Sequence, residues 1–120
     1  MDKVEEKNAT IESTFLGRED HRIMTAYLYL KYDGGGQGFG GYGLDTYNVA
    51  KKKREGHVFC GVFILCVLNT LEVESWEKLP GTPCRVRASW NKVESIGHYL
   101  KDQWFSPAQA SEELKLTGVT

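Results

Sequence analysis

Residues 23–32, IMTAYLYLKY, alternate along their whole length. Ala26, Leu28 and Leu30 fall on one face and Tyr27, Tyr29 and Lys31 on the other, the period of a strand with one buried side. The preceding ATIESTFLG, residues 9–17, alternates in part and is rich in β-branched residues. It predicts a strand with Ile11, Thr14 and Phe15 inward, ended by Gly17. REDHR between the two is a polar turn, so together they make a β-hairpin.

Residues 57–73, HVFCGVFILCVLNTLEV, break this period. Their length and lack of turn residues predict a helix. Its apolar positions (Val58, Phe59, Val62, Phe63, Leu65, Cys66 and Leu68) surround the axis rather than forming one stripe. Such a helix needs cover on more than one side. In a small chain a second subunit supplies it, which predicts a homodimer with this helix at or near the interface. The alternative is a central helix wrapped by a strongly curved sheet within one chain.

Downstream, Ser75 caps a short helix over SWEKL and PGTP is a turn. CRVRASW alternates Cys84, Val86 and Ala88 against Arg85, Arg87 and Ser89, which predicts a strand. NKVESIGHYL returns as its hairpin partner, with Asn91 and Lys92 in the turn. Ser106-Pro107 stops this region before a weak terminal helix. Residues 1–8 and 110–120 are expected to fray. Paired strands rather than strand–helix alternation predict an α+β class with a mainly antiparallel sheet, one long apolar helix and short accessory helices. The 120 residues fit one domain, 1–120.

Asp33 to Asp45 reads DGGGQGFGGYGLD, seven glycines in thirteen residues. Glycine costs entropy on folding, so the run is either a loop or bulge, or a place where backbone approaches something closely. It leads into a short strand near Tyr42–Asp45. The segment matches GxGxxG twice, which so many glycines make nearly inevitable. A dinucleotide site needs a helix directly afterwards, and YGLDTYN is no amphipathic helix, so that reading fails. Successive glycine amides can still form an anion-binding concavity.

Composition narrows the classes. Hydrophobic residues at 41% and charged residues at 26% suit a globular protein. The longest apolar run, residues 58–68, is too short to span a bilayer. MDKVEEKNAT lacks the apolar core of a signal peptide, so a cytoplasmic protein without membrane contact is expected. A net charge of −1 gives no reason to expect nucleic-acid binding. Cys60, Cys66 and Cys84 form no CxxC pair and are read as reduced, mostly buried thiols. His21, His57 and His98 fall into no nucleophile–base–acid spacing, and neither a metal set nor a cofactor is expected.

The better constellation is one of binding. Arg85 and Arg87 leave the same strand face, and Trp90, Lys92, His98, Tyr99, Trp104 and Phe105 follow closely. Guanidinium forks suit phosphates and aromatic faces suit bases. The bland reading is a solvated sheet face with an aromatic rim.

IESTFLGREDHRIMTAYLYLKY, GQGFGGYGLD and CRVRASWNKVESIGHYLKDQWFSP together resemble the phage-encoded Thoeris anti-defence 1 family, over roughly residues 10–107. The resemblance implies a sponge: a protein that binds the cyclic ADP-ribose isomers of bacterial Thoeris TIR proteins and holds them without degrading them. It implies dimers able to form hexamers, residence in the infected bacterial host, and in some members separate sites for cyclic oligonucleotides. It implies no enzyme activity. A phosphodiesterase or hydrolase destroying such a signal, or a nucleic-acid- or protein-binding module, stands as the alternative.

On physical grounds the site would use Gly38, Phe39, Gly40 and Gly41 for backbone donors, with Phe39, Tyr42 and Trp90 as stacking faces. Arg85, Arg87 and Lys92 would take the diphosphate, and Asn91 and Asp45 the ribose hydroxyls or base edges. The basic run Lys51, Lys52, Lys53 and Arg54 is the candidate second site. Its plain reading is a solvated charged face.

Overall fold

The two alternating segments form the centre of a sheet in the computed structural model, which describes residues 3–19 and 21–116. β1 (Glu5–Glu19) pairs antiparallel with β2 (Ile23–Tyr32) through its second half. Its first half pairs with β6 (Pro83–Ala88). β3 (Gly35–Gly40) adds to β2, β7 (Val93–His98) to β6, and β8 (Trp104–Phe105) to β7. The sheet order is β3-β2-β1-β6-β7-β8, every pair antiparallel. β4 (Asp45–Asn48) and β5 (Lys53–Gly56) make a separate ribbon. The class is α+β with a mainly antiparallel sheet, as the strand pattern predicts.

The sheet curls until β3 packs against β7. Gln37 Nε2 of β3 closes the seam, donating to the carbonyls of Ser89 (3.0 Å) and Trp90 (3.2 Å). α1 (Val58–Leu71) lies against the concave side. Its first turn is capped by His57, whose Nδ1 accepts from Phe59 N at 3.0 Å. Phe59, Phe63, Val67, Thr70 and Leu71 are its buried residues, one face at helical spacing. Phe63 is the hub: its ring centroid lies 5.6 Å from Phe105, 5.9 Å from Phe39 and 6.2 Å from Tyr42. A 3-10 turn, Trp76–Lys78, and α2 (Pro107–Leu116) complete the chain. Among the described residues no helix is long and apolar enough to cross a membrane.

Five expectations need correction. Of the glycine segment, Gly35–Gly40 is a sheet strand rather than a loop, because β2 offers its edge along six consecutive residue pairs. The short strand expected at Tyr42–Asp45 begins only at Asp45. Residues 5–8 are not frayed: Glu5 pairs with Ala88 and Lys7 with Val86. At the other end α2 carries order through Leu116, and residues 117–120 lie outside the described part. Phe15 points outward, stacked on Tyr27 at 5.1 Å, because a register shift between Ile11 and Ser13 inverts the alternation after Ile11.

Burial also fixes the thiols. It pushes the Cys84 thiol up to about 12 and raises those of Cys60 and Cys66.

Candidate functional site

In β3 the side chains alternate. Gln37 and Phe39 turn inward, so the intervening glycines face outward beside Lys31, Tyr29 and Tyr27. Phe39 is fully buried among Phe63 and Phe105 and is a core residue, not a stacking face for ligand. Gly40 has φ +109°, and a Cβ there would lie 2.5 Å from the Ala26 carbonyl oxygen. The Gly41 N–H is already spent on that same oxygen, at 2.9 Å. Tyr42 packs half-buried against Phe59 and Phe63, and its carbonyl accepts from Thr25 Oγ1 at 2.8 Å. Gly40, Gly41 and Tyr42 therefore shape the turn out of β3 and offer little to a ligand.

Gly38 differs from them. A Cβ there would meet nothing within 4 Å, and its φ lies outside the left-handed region. It opens onto a depression of about 580 Å³ that also includes Tyr29, Lys31, Tyr32, Glu12 and Gln37. Tyr29 is 46% exposed beside it. The Tyr32 hydroxyl donates to Gln37 Oε1 at 2.7 Å, and burial pushes it up to about 12.

Arg85 and Arg87 do leave one face, but their charges are committed within the chain. Arg85 donates to the carbonyls of His98 (2.9 Å) and Lys101 (2.8 Å) and to Glu6 (3.1 Å). Arg87 lies 3.8 Å above the Trp104 ring, and its Nε is 3.8 Å from Glu6. Trp104 in turn covers Gly97, where a Cβ would sit 2.7 Å from the indole. The pair braces the 98–103 loop, so the expected diphosphate role is not supported by their surroundings. Trp90, Asn91 and Lys92 occupy the exposed β6–β7 turn, which Gln37 ties to the glycine strand through the Ser89 and Trp90 carbonyls. Asn91 Oδ1 accepts from Ser89 Oγ at 2.8 Å.

Asp45 belongs elsewhere as well. It holds Arg54 through two hydrogen bonds of 2.7 and 2.8 Å and accepts from Met24 N at 3.1 Å. Hydrogen bonding from Arg54 holds its carboxyl below the usual range. The tie is therefore stabilising at neutral pH and is lost as pH falls through that lowered value.

This tie joins the β4–β5 ribbon to β2, and its Arg54 also lines a cleft of about 380 Å³. Arg18, His21 and Arg22 come from the β1–β2 hairpin, and Lys52, Lys53 and Arg54 from the ribbon, with Tyr47 beside them. Lys51 turns aside, 3.5 Å from Glu55. The basic run was legible in the sequence. Its partners Arg18, His21, Arg22 and Tyr47 were not, since nothing local announces that two distant hairpins face each other.

His57 and His98 spend Nδ1 on backbone N–H groups, His98 on those of Leu100 and Lys101 at 3.0 Å each. Among the described residues no three His, Cys, Asp or Glu side chains are grouped to hold a metal ion. Comparison with protein-family models, with curated proteins and with solved structures finds no match for this chain.

Proposed function

We propose that this chain captures a small cyclic ADP-ribose-type nucleotide on its glycine face and holds it uncleaved, keeping the signal from its receptor. The observation that carries the reading is Gly38. Neither its dihedral nor its neighbours require glycine, yet a side chain there would cover the backbone floor beside Tyr29. A ring can lie flat on that floor against Tyr29, Glu12 can accept from ribose hydroxyls, and Lys31 can meet a phosphate. The volume of about 580 Å³ suits a ligand of nucleotide size. The resemblance to the Thoeris anti-defence 1 family supplies the ligand class.

Calorimetry with cyclic ADP-ribose isomers, then heat denaturation and chromatography of the released ligand, tests the reading. Tight binding and intact ligand are expected, with Gly38→Val at least tenfold weaker and melting like the parent. A cleaved product, or wild-type affinity in Gly38→Val, would overturn it.

The same reading includes a homodimer through α1. Val58 and Leu65 are 43% and 58% exposed on the face opposite Phe63, with Gly61 between them. A Cβ at Gly61 would meet nothing within 4 Å, although glycine costs a helix about 1 kcal/mol relative to alanine. A second copy of α1 approaching closely would account for both. Light scattering should return twice the chain mass, and Leu65→Glu should halve it. A wild-type monomer at high micromolar concentration would sink this assignment.

A further inference from the structure

We infer that the cleft between the β1–β2 and β4–β5 hairpins is a second anion site, distinct from the glycine face, and that it takes a chain of adjacent phosphoryl groups such as a tripolyphosphate. The charge balance is the first argument. Arg18, Arg22, Lys52, Lys53 and Arg54 line the cleft, and no carboxylate among the described residues does. The whole chain has a net charge of −1, so this concentration is local and not a by-product of a basic composition.

The nearby acids that are described are engaged elsewhere. Asp45, only 13% exposed, is taken by Arg54. Glu55 faces Lys51 and accepts from Asn48 Nδ2 at 3.2 Å, and Glu19 accepts from the Tyr27 hydroxyl at 3.3 Å. Arg18, Arg22, Lys52 and Lys53 are left with no ion pair among the described residues. Asp20 lies outside those residues. Four cations in one cleft repel one another until an anion enters, and the low-dielectric protein walls focus their field on it.

The backbone gives a second argument. Four described residues other than glycine have positive φ, and three of them shape this cleft: His21 (57°), Arg22 (66°) and Lys52 (54°). Each such conformation costs of order 1–3 kcal/mol. Glu19 pairs with Ile23 across the β1–β2 turn, and a positive φ in such a turn ordinarily falls to Gly, Asn or Asp. Here it falls to His21 and Arg22, and both side chains are exposed, so burial does not offset the strain. The cost makes sense if the side chains themselves are needed. The Asp45 tie to Met24 N and Arg54 holds the two walls together before any ligand arrives, which reduces what binding must order.

Charge also separates the ligand from the one on the glycine face. A diphosphate bridge between two sugars has no terminal phosphate. A triphosphate tail ends in a terminal phosphoryl group with a second ionisation near neutral pH, which carries about −1.5 to −2 and brings the total near four charges. That matches the four cations left over after Arg54 is paired. Tyr47, half exposed at the rim, is placed to meet a base if the chain belongs to a nucleotide.

The test titrates the full chain at fixed low ionic strength, without divalent metal, with inorganic tripolyphosphate and separately with ATP. Binding of both is expected, at least tenfold weaker in Arg22→Glu/Lys52→Glu and unchanged in Gly38→Val. Both exchanged side chains are exposed, so thermal melting should match the parent and separate lost binding from lost fold. Equal affinities assign recognition to the phosphate chain. Tighter ATP binding that Tyr47→Ala reduces to the tripolyphosphate level adds a base contact, and either result supports the site. Three outcomes overturn it: no binding of either probe, unchanged binding in the double variant, or equal competition by sulfate at matched ionic strength. Cyclic ADP-ribose binding should survive the double variant. Its loss together with tripolyphosphate binding would merge the two sites and overturn their separation, while its absence from the parent protein would count only against the nucleotide-capture reading.

Discussion

Replacing Phe63 by alanine is expected to remove about 3–5 kcal/mol of stability, most of what a domain this size holds. Phe63 is fully buried, and its ring touches four other aromatic rings: Phe39 from β3, Tyr42 after it, Phe59 one helical turn back and Phe105 from β8. Those rings come from both margins of the curled sheet. Removing Phe63 therefore leaves a cavity that neither margin can collapse into without parting from the other. Urea denaturation of the variant should show a much lower midpoint, or no folded baseline at room temperature. A loss under about 1 kcal/mol would mean that the aromatic cluster does not hold helix and sheet together.

Gly40→Ala is expected to cost nearly as much, for a different reason. The dihedral strain of a non-glycine residue at φ +109° contributes about 1–3 kcal/mol. Forcing a Cβ within 2.5 Å of the Ala26 carbonyl oxygen and 3.1 Å of Tyr27 Cα adds a similar amount, since both atoms are backbone and cannot swing aside. Gly38→Ala, two residues earlier in the same strand, should change stability by less than about 0.5 kcal/mol, as an exposed site free of such features does. Thermal melts of the two variants side by side decide the matter. Equal losses would contradict the division of this strand into one glycine the fold requires and one it does not.

Much of the architecture can be read in the residues because it rests on local period. The alternation of Ala26, Leu28 and Leu30 and that of Cys84, Val86 and Ala88 reappear as buried rows of β2 and β6, and α1 covers all but the ends of its predicted span. What stayed hidden depends on partners distant in sequence. β3 looks like a loop because glycine has poor strand propensity, and only the waiting edge of β2 makes it a strand. Phe15 defeats the pattern because a single bulge reverses alternation downstream. The candidate site shows the same limit. Residue type suggested that Phe39 could stack and that Arg85 and Arg87 could bind phosphate. The core took the first, and Glu6, Trp104 and the 98–103 carbonyls took the others. Three residues of the basic run, Lys52, Lys53 and Arg54, line one wall of a cleft, but its opposite wall lies some thirty residues upstream, beyond any local motif.

The division of β1 between two partners bears on how the chain reaches this state. Its second half closes on β2 across a turn, a local event on the microsecond scale. Its first half must wait for β6, with Glu5 finding Ala88 only after a loop of most of the chain has closed. Until then Glu5–Thr10 is an open edge able to template another copy. The charged residues Glu5, Glu6 and Lys7 stand on that edge, where charge discourages intermolecular pairing. In the folded protein Glu6 goes on to hold Arg85 and Arg87, so the same carboxylate guards the strand while it is unpaired and fastens it once β6 has arrived.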